Sequence, residues 1–175
     1  VTAAEAAGHG RGRGGDGGLA HLPRLDGTLE TAPDVVQAFS GDFGRLVTAV
    51  PHAVLRPGSV ADVAAMVRFA RRHRLAIAMN GQGSTAGPPE SHSNYGQALV
   101  EGGIAIDAKG LSAIHHLGDD VAEVDAGVTW AELVAAAADA GRTPPTLPDF
   151  LHLSVGGTLS VGGTGGTMQR HGAIV

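Results

Sequence analysis

The glycine content between Ser154 and Gly172 constrains the fold of this chain more than any other feature. Seven glycines fall in this segment, and the tetrapeptide Val-Gly-Gly-Thr occurs at 155–158 and again at 161–164. A glycine inside a regular element costs about 0.5–1 kcal/mol relative to alanine. A flexible linker or a low-complexity repeat is one interpretation. We favour an ordered loop that a large group approaches closely, because the segment also carries apolar residues that linkers usually lack. These are Leu153, Val155, Leu159 and Val161.

Composition limits the classes of protein and of site. The chain has 175 residues, which is enough for one domain with a core. Charged residues make up 17% of it, against about 25% in an average domain. A formal net charge of -5 argues against a nucleic-acid partner, since phosphate binding depends on an excess of Lys and Arg. The absence of cysteine excludes disulfides and thiolate metal sites.

The N-terminal region predicts no packed structure. Residues 8–18 are mostly glycine and can bury almost no apolar surface, so residues 1–30 are expected to form a disordered leader. The ordered domain is then expected at 31–175, with its first structure near Pro33. No apolar run approaches the roughly 18 residues of a membrane span, and the N-terminus lacks the apolar centre of a secretory signal. A cytoplasmic location without a membrane partner is therefore expected.

One helix is well specified by its sequence. Ser59 can cap its N-terminus, and Asp62 three residues later resembles a capping box with Asp in the usual Glu position. Apolar residues follow at helical spacing and predict one buried face: Val63, Met66, Val67 and Ala70. A strand over residues 53–56, ended by Pro57, is predicted to precede this helix.

The remaining elements alternate between strand and helix. Asp34 can cap a short early helix, and apolar runs predict strands at 75–79, 103–107 and 121–125. Thr129 and Glu132 form a capping box that opens a later helix, and Gly141 is well placed to end it. This alternation with short, varied connections predicts an α+β fold of mixed sheets with flanking helices.

Two glycine-rich segments follow apolar runs, one at 81–84 and the other at 154–166. Glycine allows backbone N–H groups to converge on a phosphate, so the two segments predict two walls of one dinucleotide site. Neither segment is a P-loop or a Rossmann fingerprint. A metal site is not predicted, because the adjacent His115 and His116 would point to opposite faces of a strand.

Three motifs in order resemble one family of flavoproteins. Residues 55–63 (LRPGSVADV) look like the entry to the PCMH-type FAD-binding domain of the vanillyl-alcohol oxidase type. The pattern His92-Ser93-x-x-Gly96-Gln97-Ala98 matches its flavin loop, and residues 148–172 resemble the cytokinin dehydrogenase branch. The resemblance implies a PCMH-type α+β fold and FAD as the cofactor. It also implies that the chain is the N-terminal portion of such a domain, incomplete at its C-terminus and without a substrate domain.

The resemblance assigns a role to individual residues. Asp149 corresponds to the acid that accepts a proton or hydrogen bond from a substrate amine during hydride transfer. His92 corresponds to the histidine that the family bonds covalently to the flavin. The other FAD-binding positions are main-chain contacts at Met79, Gly81, Gln82 and Gly83, a continuing wall at Ser93, Gln97 and Ala98, and pyrophosphate and ribityl contacts at Ser154, Ser160 and Thr164.

The chain departs from the family pattern at the flavin loop. The family runs Gly-x-Gly-His-Ser without interruption, whereas residues 84–91 intervene here between Gly83 and His92. An inserted loop that returns His92 to the flavin predicts covalent FAD, and one that displaces His92 predicts non-covalent FAD. Both alternatives are compatible with the sequence.

The function implied by the resemblance is an FAD-dependent oxidoreductase like cytokinin dehydrogenase. It would take hydride from the carbon next to a secondary amine, and its small-molecule substrate would be an N6-substituted adenine or another amine. An alcohol or sugar oxidase of the same fold is one alternative, in which Asp149 orients a hydroxyl group. A truncated flavin-binding fragment without turnover is the other.

Overall fold

The computed structural model of the chain describes residues 22–42, 44–81 and 96–174. Within these ranges the helices and strands follow one another in a mixed order. They are β1 (Thr28–Glu30), α1 (Pro33–Ala38), β2 (Ala53–Arg56), α2 (Val60–His73), β3 (Ile77–Asn80), β4 (Ile104–Asp107), β5 (Ile114–Leu117), β6 (Ala122–Val124), α3 (Trp130–Asp139), α4 (Val155–Val161) and α5 (Met168–His171).

A four-stranded sheet with the order β1-β2-β4-β3 forms the centre of the fold. β4 pairs in parallel with both β2 and β3, whereas β1 pairs antiparallel with β2 at one edge. β5 and β6 form a separate antiparallel pair. Parallel and antiparallel strands with flanking helices give the mixed α+β architecture that the sequence predicts.

Both faces of this sheet are apolar, since alternate strand residues point to opposite sides. Helix α2 covers one face and helix α1 packs against the other. On one face, the strand residues Leu55, Ile104 and Ile106 pack with Met66 and Phe69 of α2. The opposite face is also apolar and contains Phe39, Val54, Val100 and Ala105. Burial on both faces explains why these strands read as continuous apolar runs.

The start of α2 is held by its cap and by a buried carboxylate. Ser59 Oγ accepts a hydrogen bond from the backbone N–H of Asp62, as the sequence predicts. The Asp62 carboxylate also accepts from the N–H groups of Asp26, Gly27 and Gly58 at 2.8–2.9 Å. Burial raises the pKa of Asp62, but these backbone N–H bonds, with a further one from Ser59, outweigh it and leave the pKa below its ordinary value of 3.8. Asp62 thereby connects α2 to the segment that leads into β1.

Three details of the predicted organisation are wrong. Structure begins before Pro33, because Thr28–Glu30 within the predicted 1–30 leader pair with β2; residues 1–21 lie outside the described ranges. Helix α1 begins at Pro33 after Ala32, so Asp34 lies in its first turn and is not its cap. On α2, Phe69 is buried and Val67 is 48% exposed, since the buried face is centred on Met66 and Phe69 and Val67 lies about 100° around the helix from Met66.

A second apolar cluster joins α3 and α4. Val128, Trp130, Leu133, Val155 and Ile174 form it, and side chains of β5 and β6 pack against it. The predicted capping box at the start of α3 is present: Glu132 N–H donates to Thr129 Oγ1, and Thr129 N–H donates to Glu132 Oε2. Gly141 follows the helix with φ +71°, in agreement with its predicted role. Among the described residues, no helix has both the length and the apolar character that a membrane span requires.

Candidate functional site

The end of β3 meets the start of α4. Gly81 follows β3 directly, and Ser154 immediately precedes α4. A side chain at Gly81 would overlap Ser154 Oγ and would bring its Cβ within 3.1 Å of Ser154 Cβ. We call this approach the Gly81–Ser154 contact. It brings together the two glycine-rich segments that the sequence predicts as walls of one site.

The glycine-rich segment 154–166 begins as a helix and not as a loop. Ser154 is the N-cap of α4, and its Oγ accepts a hydrogen bond from Gly157 N–H at 3.2 Å. Residues 155–161 are helical, so the predicted loop over 154–166 is wrong for this half. The helix forms despite two glycines because Ser154 caps it and neighbouring segments bind its backbone. α4 then ends at Gly162, which has the left-handed conformation.

Backbone hydrogen bonds connect the entry to α4 with the entry to α3. Val155 N–H donates to the carbonyl of Val128 at 2.8 Å, and Gly156 N–H donates to that of Ala126 at 2.9 Å. A Cβ at Gly156 would lie 2.7 Å from the Cβ of Ala126 and 2.9 Å from its carbonyl oxygen. Glycine at 156 is therefore required by a close approach of two backbones.

A buried side-chain hydrogen bond joins the same two helices. Trp130 Nε1 donates to Thr158 Oγ1 at 2.9 Å, and Thr158 Oγ1 donates to the carbonyl of Ser154 at 3.0 Å. Sequence reasoning placed Trp130 on α3 but missed its partner. One signal was available in the sequence: a single tryptophan, whose indole N–H needs an acceptor when it is buried. The threonine that provides this acceptor lies in α4.

Asp149, the predicted catalytic acid, lies in the segment that leads into Ser154. Asp149 is exposed in a bend that follows the buried Pro148, and Phe150 after it is also exposed. The chain around it is fixed, because Ala131 N–H donates to the carbonyl of Leu151 at 2.7 Å. Gly165 also lies directly against the carbonyl of Leu147. The carboxylate of Asp149 is thus held on an ordered segment and is open to a ligand.

The other predicted cofactor-binding residues lie at several places. Met79 is in β3 and is 46% exposed. Gln97 and Ala98 lie in a turn after Gly96, which has φ +97° and packs against the side chain of Val47. Ser160 and Thr164 are exposed, and Ser160 Oγ donates to the carbonyl of Gly156. The remaining four, Gln82, Gly83, His92 and Ser93, lie outside the described residues.

An ion network that the sequence does not predict lies where β2 and β4 end, beside the end of β3. Arg56 ends β2, and its Nε lies 3.3 Å from Oδ2 of Asp107, which ends β4. Its Nη1 lies 2.5 Å from Oε1 of Glu30. Asp107 is paired in register with Asn80, the residue before Gly81. These charges are partnered, and no group of three or more His, Asp or Glu in the described ranges could hold a metal ion.

The segments that meet at the Gly81–Ser154 contact carry groups that suit a phosphate-bearing cofactor. Gly81 has no side chain, and the Oγ of Ser154 fills the space where its Cβ would lie, so the two segments meet without a gap. Ser154 is 3% exposed and its hydroxyl group caps α4, whereas Ser160 and Thr164 present exposed hydroxyl groups farther along the same segment. Glycine backbone and hydroxyl groups are the partners that phosphate oxygens use in proteins.

Comparison with known proteins indicates the kind of cofactor independently of these residues. A family model described as "FAD binding domain" matches residues 51–175. An uncharacterized oxidoreductase, ORF5 in the fasciation locus of Rhodococcoides fascians, is 40% identical over 148 residues, which cover 85% of this chain and 32% of that protein. Cytokinin dehydrogenase 2 of Arabidopsis thaliana is 36% identical over 158 residues, with 88% and 30% covered. The chain spans about a third of the length of these relatives.

Solved structures show the same fold. The 6-hydroxy-D-nicotine oxidase of Arthrobacter nicotinovorans superposes with a TM-score of 0.71 at 26% identity, covering 89% of this chain and 33% of that one. A chitooligosaccharide oxidase superposes with a TM-score of 0.70 at 18% identity, covering 86% and 31%. The second likeness concerns the fold alone.

Proposed function

The chain belongs to the FAD binding domain family, and from this premise we propose that it forms the flavin-binding part of an oxidoreductase that acts on an amine. The observation that carries the proposal is the Gly81–Ser154 contact. It joins the two glycine-rich segments on which the cofactor assignment rests. The exposed Asp149 lies in the segment that leads into Ser154.

In the proposed reaction, the substrate carbon next to a secondary amine loses a hydride and the nitrogen loses its proton. FAD, when bound, supplies the acceptor for the two electrons of that hydride. Asp149 orients the N–H group and takes its proton, because a carboxylate within hydrogen-bond reach of that group can act as the general base. The product is an imine, which water converts to an aldehyde or ketone and an amine.

Individual residues of the chain would hold the cofactor in this scheme. Backbone at Met79 and Gly81 and the hydroxyl groups of Ser154, Ser160 and Thr164 would contact FAD, with Gln97 and Ala98 continuing the wall. Gln82, Gly83 and Ser93 complete the set that the family motif assigns. His92 is the proposed point of covalent attachment.

The proposed substrate is an N6-substituted adenine or a similar amine. Its support is the similarity to proteins named cytokinin dehydrogenase, which recur at 36–37% identity from Arabidopsis thaliana and Oryza sativa. A protein named for 6-hydroxy-D-nicotine shares the fold at 26% identity.

Absorbance spectroscopy of the purified protein tests the proposal in three steps. Flavin absorbance bands after reconstitution with FAD are expected, and their absence would refute the flavin site. Acid precipitation should then carry the flavin into the pellet if His92 is attached to it. Addition of isopentenyladenine under anaerobic conditions should bleach the flavin, and glucose should not. Bleaching by glucose alone would favour a sugar oxidase, and bleaching by neither compound would favour a chain without turnover.

Substitution of Asp149 tests its catalytic role. Asp149→Asn should lower the rate of bleaching by about a hundredfold or more, since that is the usual contribution of a general base. Its FAD absorbance should be unchanged. Asp120→Asn, at another exposed aspartate, is the matched control and should bleach at the rate of the unsubstituted protein. Equal rates for Asp149→Asn and the control would contradict the role.

A further inference from the structure

Thr158 occupies the centre of the contacts that hold α4. Its side chain is 4% exposed, and the two groups that it bonds, Trp130 and Ser154, are 6% and 3% exposed. Its hydroxyl accepts from Trp130 Nε1 at 2.9 Å and donates to the carbonyl of Ser154 at 3.0 Å. Water has little access to any of the three residues, so these bonds have no ready replacement.

The chemistry of the three groups requires a hydroxyl at this position. An indole N–H can only donate, and a backbone carbonyl can only accept. A hydroxyl accepts from one and donates to the other at the same time. Replacement by an apolar side chain of the same shape leaves the indole N–H buried without an acceptor, at a cost of about 1–3 kcal/mol.

The methyl group of Thr158 makes a separate contact. A Cβ at Gly163 would overlap Thr158 Cγ2, so Gly163 closes directly over this methyl group. Gly163 in turn exchanges two backbone hydrogen bonds with Ile174 at 3.1 and 2.8 Å. The hydroxyl therefore connects the start of α4 to α3, and the methyl connects α4 to the segment after it. The two functions can be separated by substitution.

α4 depends on such contacts more than an ordinary helix does. It has 7 residues, two of them glycine, and isolated helices shorter than about 12 residues are marginal in water. Ser154 is the N-cap of this helix. Its carbonyl accepts from the Thr158 hydroxyl, and its Oγ lies against Gly81. Loss of the Thr158 hydroxyl would leave the Ser154 carbonyl with the backbone N–H of Thr158 as its donor and would loosen Ser154 at the Gly81–Ser154 contact.

We propose that Thr158 is a positioning residue for the flavin site: its hydroxyl, bonded to Trp130 and Ser154, holds Ser154 against Gly81. This inference rests on the proposed function of the contact as part of the FAD site. Thr158 itself is buried and acts through Ser154.

The test compares Thr158→Val, which keeps the shape and removes the hydroxyl, with Thr158→Ser, which keeps the hydroxyl and removes the methyl. Calorimetric titration of apoprotein with FAD should give a dissociation constant raised about tenfold in Thr158→Val, a loss of about 1.4 kcal/mol of binding free energy, because Ser154 is no longer held against Gly81. Thr158→Ser should stay within about threefold of the unsubstituted protein. Thr28→Val, at an exposed threonine of β1, is the matched control and should bind normally.

Two measurements without flavin separate this inference from the proposed function. Amide hydrogen exchange over residues 155–161 should be faster in Thr158→Val than in Thr158→Ser. Fluorescence emission of Trp130, the only tryptophan, should shift in Thr158→Val because the indole loses its acceptor. Both effects are expected even if FAD fails to bind, a result that would refute the proposed function alone.

Two results would overturn the inference. One is normal FAD binding by Thr158→Val together with unchanged exchange over 155–161. The other, should Thr158→Val fail to fold, comes from Thr158→Ala, which removes the same hydroxyl group without placing a second methyl group beside Trp130. Normal FAD binding and normal exchange in that variant would equally show that the hydrogen bond does not position Ser154.

Discussion

Helices α2 and α4 both begin after a serine cap, yet they are held in place by different means. α2 has 14 residues and buries Met66, Phe69 and Ala70 against the sheet. α4 has 7 residues, buries Val155 and Thr158, and leaves Leu159 and Val161 exposed at 45% and 70%. An apolar face holds the first helix, whereas hydrogen bonds to its neighbours hold the second.

The two ways of holding a helix suit different purposes: the burial that holds α2 supports the core, and the hydrogen bonds that hold α4 suit a binding site. An apolar face tolerates changes elsewhere on its helix, because burial is non-directional and proportional to area. A short helix held by hydrogen bonds at defined positions depends on the direction of each bond, so its first turn is fixed by those partners. Its exposed residues are then free for a ligand. Substitutions in the two helices should accordingly differ in what they disturb.

The largest effect is expected in the core of α2. Phe69→Ala removes a fully buried ring from the contact with Leu55 and Ile104. The free energy of unfolding should fall by about 3–5 kcal/mol, the usual cost of such a cavity. Urea unfolding followed by circular dichroism measures it. Val67→Ala, at the half-exposed position of the same helix, is the control and should cost less than about 1 kcal/mol. Equal losses would contradict the observed orientation of α2.

A glycine substitution in α4 should have the opposite sign from the same change in an ordinary helix. Alanine normally stabilises a helix by about 1 kcal/mol relative to glycine. Gly156→Ala should instead destabilise the protein by about 1–3 kcal/mol, because its Cβ would press on Ala126. Gly166→Ala, where a Cβ meets nothing within 4 Å, is the control and should change the unfolding free energy little. A stabilised Gly156→Ala variant would show that the two backbones are farther apart.

The two caps offer a matched pair of smaller changes. Ser59→Ala and Ser154→Ala each remove one N-cap hydrogen bond, which should lower the unfolding free energy by about 1 kcal/mol, and Ser59→Ala also removes the exposed bond from Ser59 Oγ to Asp26. Only Ser154→Ala should also weaken FAD binding, because only Ser154 adjoins Gly81. Calorimetric titration with FAD distinguishes them. Weaker binding in both variants would indicate a general loss of stability as the cause.

The smallest effect concerns pH. His115 Nε2 lies 2.8 Å from Asp125 Oδ1, in the strand pair that packs on the α3–α4 cluster. The hydrogen bond with Asp125, and then its negative charge, raise the pKa of His115 above 6.5. The hydrogen bond from His115 likewise holds the pKa of Asp125 below 3.8, although burial opposes it.

The sign of the pH effect follows from these two shifts. The contribution of His115 is complete below pH 6.5 and is lost as pH rises through its raised pKa. That of Asp125 is present above pH 3.8 and is lost as pH falls through its lowered pKa. His115→Gln should therefore destabilise the protein more at about pH 5 than at about pH 9. Thermal unfolding at the two pH values measures this, and a difference independent of pH would contradict the ion pair.

The same contrast explains what the sequence predicts about the fold. Ser59, Asp62 and the apolar periodicity suffice for α2, and the Thr129–Glu132 box suffices for the start of α3, because these signals are local. α4 was predicted as a loop because its glycines are unfavourable locally. The hydrogen bonds that make it helical come from Ala126, Val128 and Trp130, more than 20 residues away in the chain.

The candidate site shows a similar division. The meeting of the segments at Gly81 and Ser154 follows from sequence, because both show the need for close backbone approach. The pairing of Trp130 with Thr158, and that of Arg56 with Asp107, depend on how helices and strands are placed, which no local pattern records. The catalytic role of Asp149 and the attachment at His92 stay predictions.

The Gly81–Ser154 contact also restricts how related sequences can diverge. Space for a methyl group at position 81 exists only if the hydroxyl at position 154 is removed, so the two positions cannot vary independently. In an alignment of relatives, larger residues at 81 should occur with glycine or alanine at 154 and with a different helix cap. The two positions, 73 residues apart in the chain, would then change together as a pair.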